Sequence, residues 1–316
     1  YLRDAGLDPN HLHLLPNPVD LGRVDEEEAP LANIPPLWLY PTRAIRRKNL
    51  GEFLLWSALA GDGAWFATTS GPENPAEQPR YRRWQQVALE LGLPVHFEMV
   101  GPNGYGFIEL LRMADVAVTT SVAEGFGMAF LEPWTLGTPV CGRNLPEITT
   151  QFSAEGLQLP WCYDRLDVPL AWLGRERVIK AAADGLHQNL QAYGRTPGPE
   201  DLQRVQRAWI HGDRVDFGRL DESVQETVLR HLVRSKAKAE LLVPQALPDP
   251  TGLRIPMAEN QSILLSHFTL ARYGEAVEGV YRQVIASATT RPESLDGEVL
   301  LDRFLAPERL TLLRVD

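Results

Sequence analysis

Two cysteines, Cys141 and Cys162, are all that the 316 residues contain. They build no disulfide framework and lack metal-ligand spacing, so a reduced, cytoplasmic setting is the expectation. No apolar run approaches the roughly 20 residues of a membrane span, and no signal-peptide pattern opens the chain. Long runs of Lys or Arg are also missing. With a formal charge of −10, that makes a nucleic-acid or anionic-membrane surface a poor account of the main activity. The seven histidines follow no metal pattern, and neither Gly-x-Ser-x-Gly, His-Glu-x-x-His nor a P-loop occurs. No metal site is expected. There is no initiator Met, no internal repeat and no low-complexity tract. Tyr1 to Gly6 reads as the tail of a helix, and His13 to Asp20 as a short strand entering a proline-controlled turn. A missing N-terminal part is therefore expected.

What is present is a hydrophobic share of 44%, ample for a buried core. From residue 37 to about 160, apolar strand-like runs alternate with helical patterns. Trp38–Tyr40 precedes a helix near 49–60, Trp65–Thr68 one near 80–91, and Val95–Phe97 one near 106–113. Val116–Val118 precedes a helix near 126–136, and Pro139–Cys141 a short helix near 145–151. This alternation predicts an α/β fold with a Rossmann-like, doubly wound parallel sheet, whose ligands bind at the carboxyl ends of the strands. Residues 175–240 read as a helical region. The proline-bearing stretch 243–258 reads as an extended connector, and Ser262–Ile285 as one amphipathic helix.

The segment Glu124-Gly-Phe-Gly-Met-Ala-Phe-Leu-Glu132 carries the chemistry. A strand ending in a glycine-rich turn that feeds a helix leaves backbone N–H groups unpaired at one spot, which suits a phosphate. Two carboxylates there would repel an anion but accept hydroxyls strongly. Phosphate beside hydroxyls describes a sugar nucleotide. The basic cluster Arg43, Arg46, Arg47, Lys48 also follows a strand, so both clusters fall at one crevice. The competing reading is a helix N-terminus and a basic loop, each merely solvated.

With these residues in hand, the chain resembles the nucleotide-sugar-binding half of retaining glycosyltransferases of the GT-B fold, the glycogen-synthase-like, glycosyltransferase group 1 type. Their signature pairs two glutamates with seven residues between them, the spacing of Glu124 and Glu132. Ala114-Asp115-Val116, Ser121, Gly137-Thr-Pro-Val140 and Leu145-Pro-Glu147-Ile148 stand in the order that family shows. The resemblance implies catalytic roles for Lys48, Arg43 and Glu124, with Arg43 and Lys48 clamping the donor diphosphate. The chain's Arg-to-Lys spacing is one residue short of the family's, which leaves Arg46 or Arg47 as alternatives to Arg43. It also implies donor contacts from Ser121, the backbone amides of Phe126, Gly127 and Met128, from Glu132 at the ribose hydroxyls, and from Glu147. Glycine at 127 is expected to let the donor approach closely. Gly101–Gly106 either shapes the base pocket or is a turn.

By the same resemblance, residues 1–33 would end a missing N-terminal domain and linker. Residues 34–255 would be the nucleotide-sugar-binding domain with its helical insert, and 256–316 a C-terminal helix returning toward the N-terminal domain, plus a tail. The partners implied are a nucleotide sugar and an unidentified acceptor, with no separate cofactor. Other accounts are a binding module without catalysis, an epimerase or phosphorylase on the same scaffold, and a helical interaction scaffold.

Overall fold

The computed structural model describes residues 1–19, 35–102, 104–235, 256–287 and 294–315. Strand β1 (Leu37–Arg43) begins the alternation. Its Trp38 and Tyr40 join one buried cluster and Leu39 the other, as the period of two along a strand requires when both faces are covered. The pattern continues through α1 (Leu50–Ala60), β2 (Trp65–Ser70), α2 (Gln78–Leu91), β3 (Val95–His96), α3 (Phe107–Met113) and β4 (Val116–Thr119). Then come α4 (Glu132–Thr135), β5 (Val140–Arg143), α5 (Pro146–Ala154) and β6 (Cys162–Tyr163). All pairings in this sheet are parallel, and the order is β3-β2-β1-β4-β5-β6. The doubly wound α/β sheet read from the sequence is the observed fold. The order reverses direction between β1 and β4, the switch point at which such sheets open a ligand crevice.

Three departures matter. The helix expected over 126–136 is a 3₁₀ turn at Met128–Phe130 followed by the four-residue α4. Residues 175–240 are not purely helical. Within and just before them β7 (Asp167–Pro169), α6 (Arg175–Gln191), α7 (Pro199–Trp209), β8 (Ile210–His211), β9 (Arg214–Asp216) and α8 (Glu222–Ser235) place three helices around a small antiparallel sheet, ordered β7-β9-β8. The strands are too short to show a period in sequence. Finally, Ser262–Ile285 is two helices, α9 (Met257–His267) and α10 (Leu270–Ala286). Phe268 is buried between them at 5.8 Å from Phe152, and Thr269 caps the second.

Helix α9 packs on α4, whereas α10 buries none of its residues and exposes Leu270, Tyr281, Val284 and Ile285. Residues 1–19 contain no strand, and Val19 N–H donates to the Phe268 carbonyl at 2.8 Å. Of the expected connector at 243–258, residues 243–255 lie outside the described residues. So do residues 20–34, which would hold the linker. Helix α11 (Gly297–Phe304) leads into a closing segment. Among the described residues no helix is long and apolar enough to cross a membrane.

Candidate functional site

The loops that follow the neighbouring strands β1 and β4 are tied together by backbone: Val122 N–H donates to the Arg47 carbonyl at 2.9 Å. After β1 the chain makes a 3₁₀ turn, Arg46–Lys48, and this turn aims two cations at the β4 loop. Lys48 Nζ bonds Glu124 Oε1, and Arg47 Nη1 lies 3.0 Å from Glu124 Oε2 while donating to the Ala123 carbonyl at 2.6 Å. Ser121 Oγ donates to the same carboxylate at 2.5 Å. Tyr40, fully buried on β1, donates to the Lys48 carbonyl at 2.8 Å, and its hydroxyl is hydrogen-bonded to Ser121 Oγ at 2.8 Å. Burial, reinforced by Glu124, keeps that phenol protonated.

The electrostatics follow from this geometry. Burial pushes the Glu124 carboxyl up, but the Lys48 charge and the bonds from Lys48, Ser121 and Arg47 outweigh it and hold the group below its ordinary value. Burial lowers the Lys48 ammonium, and Glu124 offsets this only in part. Glu132 differs. No hydrogen bond or ion pair to its carboxylate is found among the described residues, and burial alone raises its pKa.

The other expected residues are distributed unevenly. Arg43 points away, forming an exposed ion pair with Glu73 at 3.3 Å. Its position at the end of β1, before the 3₁₀ turn, separates it from Lys48. Arg46 is engaged behind the loop, by Glu222 at 3.0 Å and the Val315 carbonyl at 2.5 Å. The structure therefore brings Arg47, not Arg43 or Arg46, beside Lys48.

The amides of Phe126 and Gly127, just before the 3₁₀ turn, and of Met128, its first residue, have no acceptor among the described residues, and Phe126 is 69% exposed. Gly127 is required for a reason other than donor approach. Its φ is +73°, and a Cβ there would lie 2.4 Å from Ile148 Cγ2, so both backbone conformation and packing on α5 demand glycine. Glu147, in the first turn of α5, pairs with Arg309 of the closing segment at 3.0 Å.

Sequence reading missed the buried groups behind the loop. Asn49, with left-handed φ of +53°, joins the cationic turn to α1. Its side chain bonds Glu52 and Gln225, each at 2.8 Å. Glu52 in turn takes Arg143 at 2.7 Å and the Tyr163 hydroxyl at 2.6 Å, and Arg143 reaches Asp216 at 2.9 Å. A polar residue at an otherwise apolar helix position, as Glu52 is, was the available signal.

Residues 26–156 match the family model of glycosyl transferases group 1. Every residue assigned above by resemblance, from Arg43 to Glu147, falls in that stretch. The curated mannosylglucosyl-3-phosphoglycerate synthase of Petrotoga mobilis is 34% identical over 103 residues, 30% of this chain and 18% of that protein. Sucrose-phosphate synthase from Thermosynechococcus elongatus aligns with a TM-score of 0.45 at 18% identity, covering 82% of this chain and 47% of that one. Anabaena HepE in complex with UDP and glucose aligns with a TM-score of 0.44 at 12% identity, covering 78% and 48%. The chain thus spans about half the length of these two solved structures and less than a fifth of the curated relative.

Proposed function

We propose that this chain is the donor-binding part of a retaining glycosyltransferase, which moves a sugar from a nucleoside-diphosphate sugar to an acceptor hydroxyl. The observation that carries the reading is the convergence of Lys48 and Arg47 on Glu124 beside the unpaired amides of residues 126–128. The family match over residues 26–156 supports it. In this reading residues 34–255 form the donor-binding unit. Lys48 and Arg47 take the diphosphate and stabilise the charge that develops on the leaving group. Arg43, held only by an exposed ion pair of little energy, is the cation an incoming diphosphate recruits. With these positive charges in place the reaction does not need a metal to neutralise the phosphates.

Glu124 and Ser121 then turn to the hydroxyls of the transferred sugar, and the amides of Phe126, Gly127 and Met128 to the sugar and distal phosphate. Glu147 adds a further donor contact, for which it leaves its ion pair with Arg309. Glu132 accepts the ribose hydroxyls, a role suited to a carboxylate with no partner of its own. The bond from the anomeric carbon to the diphosphate oxygen breaks. The acceptor oxygen bonds that carbon on the same face, and the departing phosphate oxygen takes the acceptor's proton. No separate general base is required for this step.

Nucleoside-diphosphate binding and donor turnover test the proposal. Lys48→Ala is expected to lower turnover by about 100-fold, with a smaller effect on donor affinity. Glu132→Ala is expected to weaken nucleotide-sugar binding by about tenfold or more, from loss of a charged acceptor. An unchanged rate for Lys48→Ala removes its leaving-group role. Absence of nucleotide binding in the unmodified chain overturns the whole reading.

A further inference from the structure

Gln225 lies on α8, far along the chain from the cationic turn, and is fully buried. Its Nε2 donates to Asn49 Oδ1 at 2.8 Å and to the Phe217 carbonyl at 3.1 Å. Its Oε1 is buried with no partner, an arrangement that costs folding free energy. It also presses on α1: a Cβ on Gly51 would lie 2.2 Å from that oxygen. An apolar side chain of the same length would fill the space without the orphaned Oε1, but would leave Asn49 Oδ1 without its donor. What the glutamine adds is its Nε2, and the contact it makes outside its own neighbourhood is Asn49.

Asn49 is held in a left-handed conformation that non-glycine residues adopt at a cost. Its Nδ2 donates to Glu52, and its carbonyl takes Thr120 Oγ1 at 3.1 Å. The preceding carbonyl, that of Lys48, takes both Tyr40 and Thr120. The backbone of the turn is thus clamped from the β1–β4 side by Tyr40 and Thr120, and from α8 by Gln225. Lys48 swings on a flexible four-carbon stem, so a fixed backbone is what aims its ammonium.

We propose that Gln225 and Asn49 are positioning residues that hold Lys48 at the donor site. The unit formed by residues 165–235 is then a working part of that site rather than an appended insert. This rests on the role given to Lys48 above.

Gln225→Met is nearly isosteric; it removes the orphaned Oε1 but leaves Asn49 Oδ1 without its donor, and because these two effects oppose each other its thermal midpoint should stay within a few degrees of the unmodified chain. Donor turnover should fall about tenfold while donor KM stays within about twofold, because the cation is mis-aimed rather than lost. Amide hydrogen exchange over residues 46–49 should rise. Asn49→Gly keeps the left-handed backbone and removes the amide, and should reproduce both effects; the double variant should add little to either. If Gln225→Met fails to fold, Asn49→Gly carries the test. Unchanged exchange over 46–49 in the folded variant overturns the proposal, as does unchanged turnover. If the unmodified chain neither binds nucleoside diphosphate nor consumes donor, the proposed function falls, and the exchange measurement alone decides the brace.

Discussion

Glu124 and Glu132 are the same residue type in opposite settings, and the difference sets what each can do. Glu124 takes three side-chain donors and is held below the ordinary glutamate value of 4.5, against the upward push of burial. A carboxyl with a depressed folded-state pKa contributes stability that is present above its unfolded value and is lost as pH falls through the folded one. Glu132 has burial without partners, and its pKa is raised above 4.5. Its charged form costs folding free energy as pH rises, and the free site begins to lose the charge before an ordinary glutamate would as pH falls. A protonated carboxyl accepts hydroxyls less strongly. Nucleotide-sugar affinity measured by calorimetry should therefore decline as pH drops through a value above 4.5. Glu132→Gln should bind more weakly at neutral pH and lose that dependence. An unaltered pH profile in the variant would remove Glu132 from the site. Both carboxylates and their spacing are visible in the sequence; their partners are not, because partners come from other strands.

At the scale of elements, the parallel sheet and residues 165–235 share one apolar core in which an ionic group is buried. Arg143 on β5 bonds Glu52 on α1 and Asp216 on β9, and all three are at most 5% exposed. Burial opposes its charge, but the two carboxylates outweigh burial and keep Arg143 protonated. Removing one partner of a buried set strands the remaining charges. Glu52→Ala should lose about 3–5 kcal/mol of stability in denaturant titration, far more than loss of an exposed pair such as Arg43–Glu73. Tolerance of Glu52→Ala would mean that water reaches this group. Five of the six strands of the main sheet were legible because apolar runs bounded by turns repeat from 37 to 143; the two-residue β6 was not. Nor was the split of 126–136. Gly127 has a left-handed backbone, and Ile148 and Phe152 leave no room for a side chain there, neither of which a helical pattern records. Likewise, the periodicity of 262–285 runs on unbroken in sequence, yet burial of Phe268 against Phe152 divides it.

On the scale of the whole molecule, the segment after α11 straps residues 165–235 to the cationic turn after β1. Trp209 Nε1 and Arg219 donate to the Leu310 carbonyl at 3.1 and 2.9 Å, and Thr311 Oγ1 donates to the Gly218 carbonyl at 2.8 Å. Leu312 seats against Gly185, where a Cβ would lie 2.2 Å from its Cδ2. The strap then ends on Arg46. Leu312→Ala should cost about 2–5 kcal/mol by opening a cavity under the strap, read as a lowered unfolding midpoint; a change within error would show that the strap does not bear on stability. The alternating runs and the Glu124–Glu132 spacing are local properties, and the sequence by itself determined the parallel α/β sheet and the crevice end of two of its strands. Which cation meets Glu124 was decided only in three dimensions. Arg43, Arg46 and Arg47 are chemically equivalent on paper, and a 3₁₀ turn, a surface glutamate and a carbonyl 269 residues away separate them. Side-chain direction after a strand depends on backbone turns and distant acceptors, neither of which a linear pattern records.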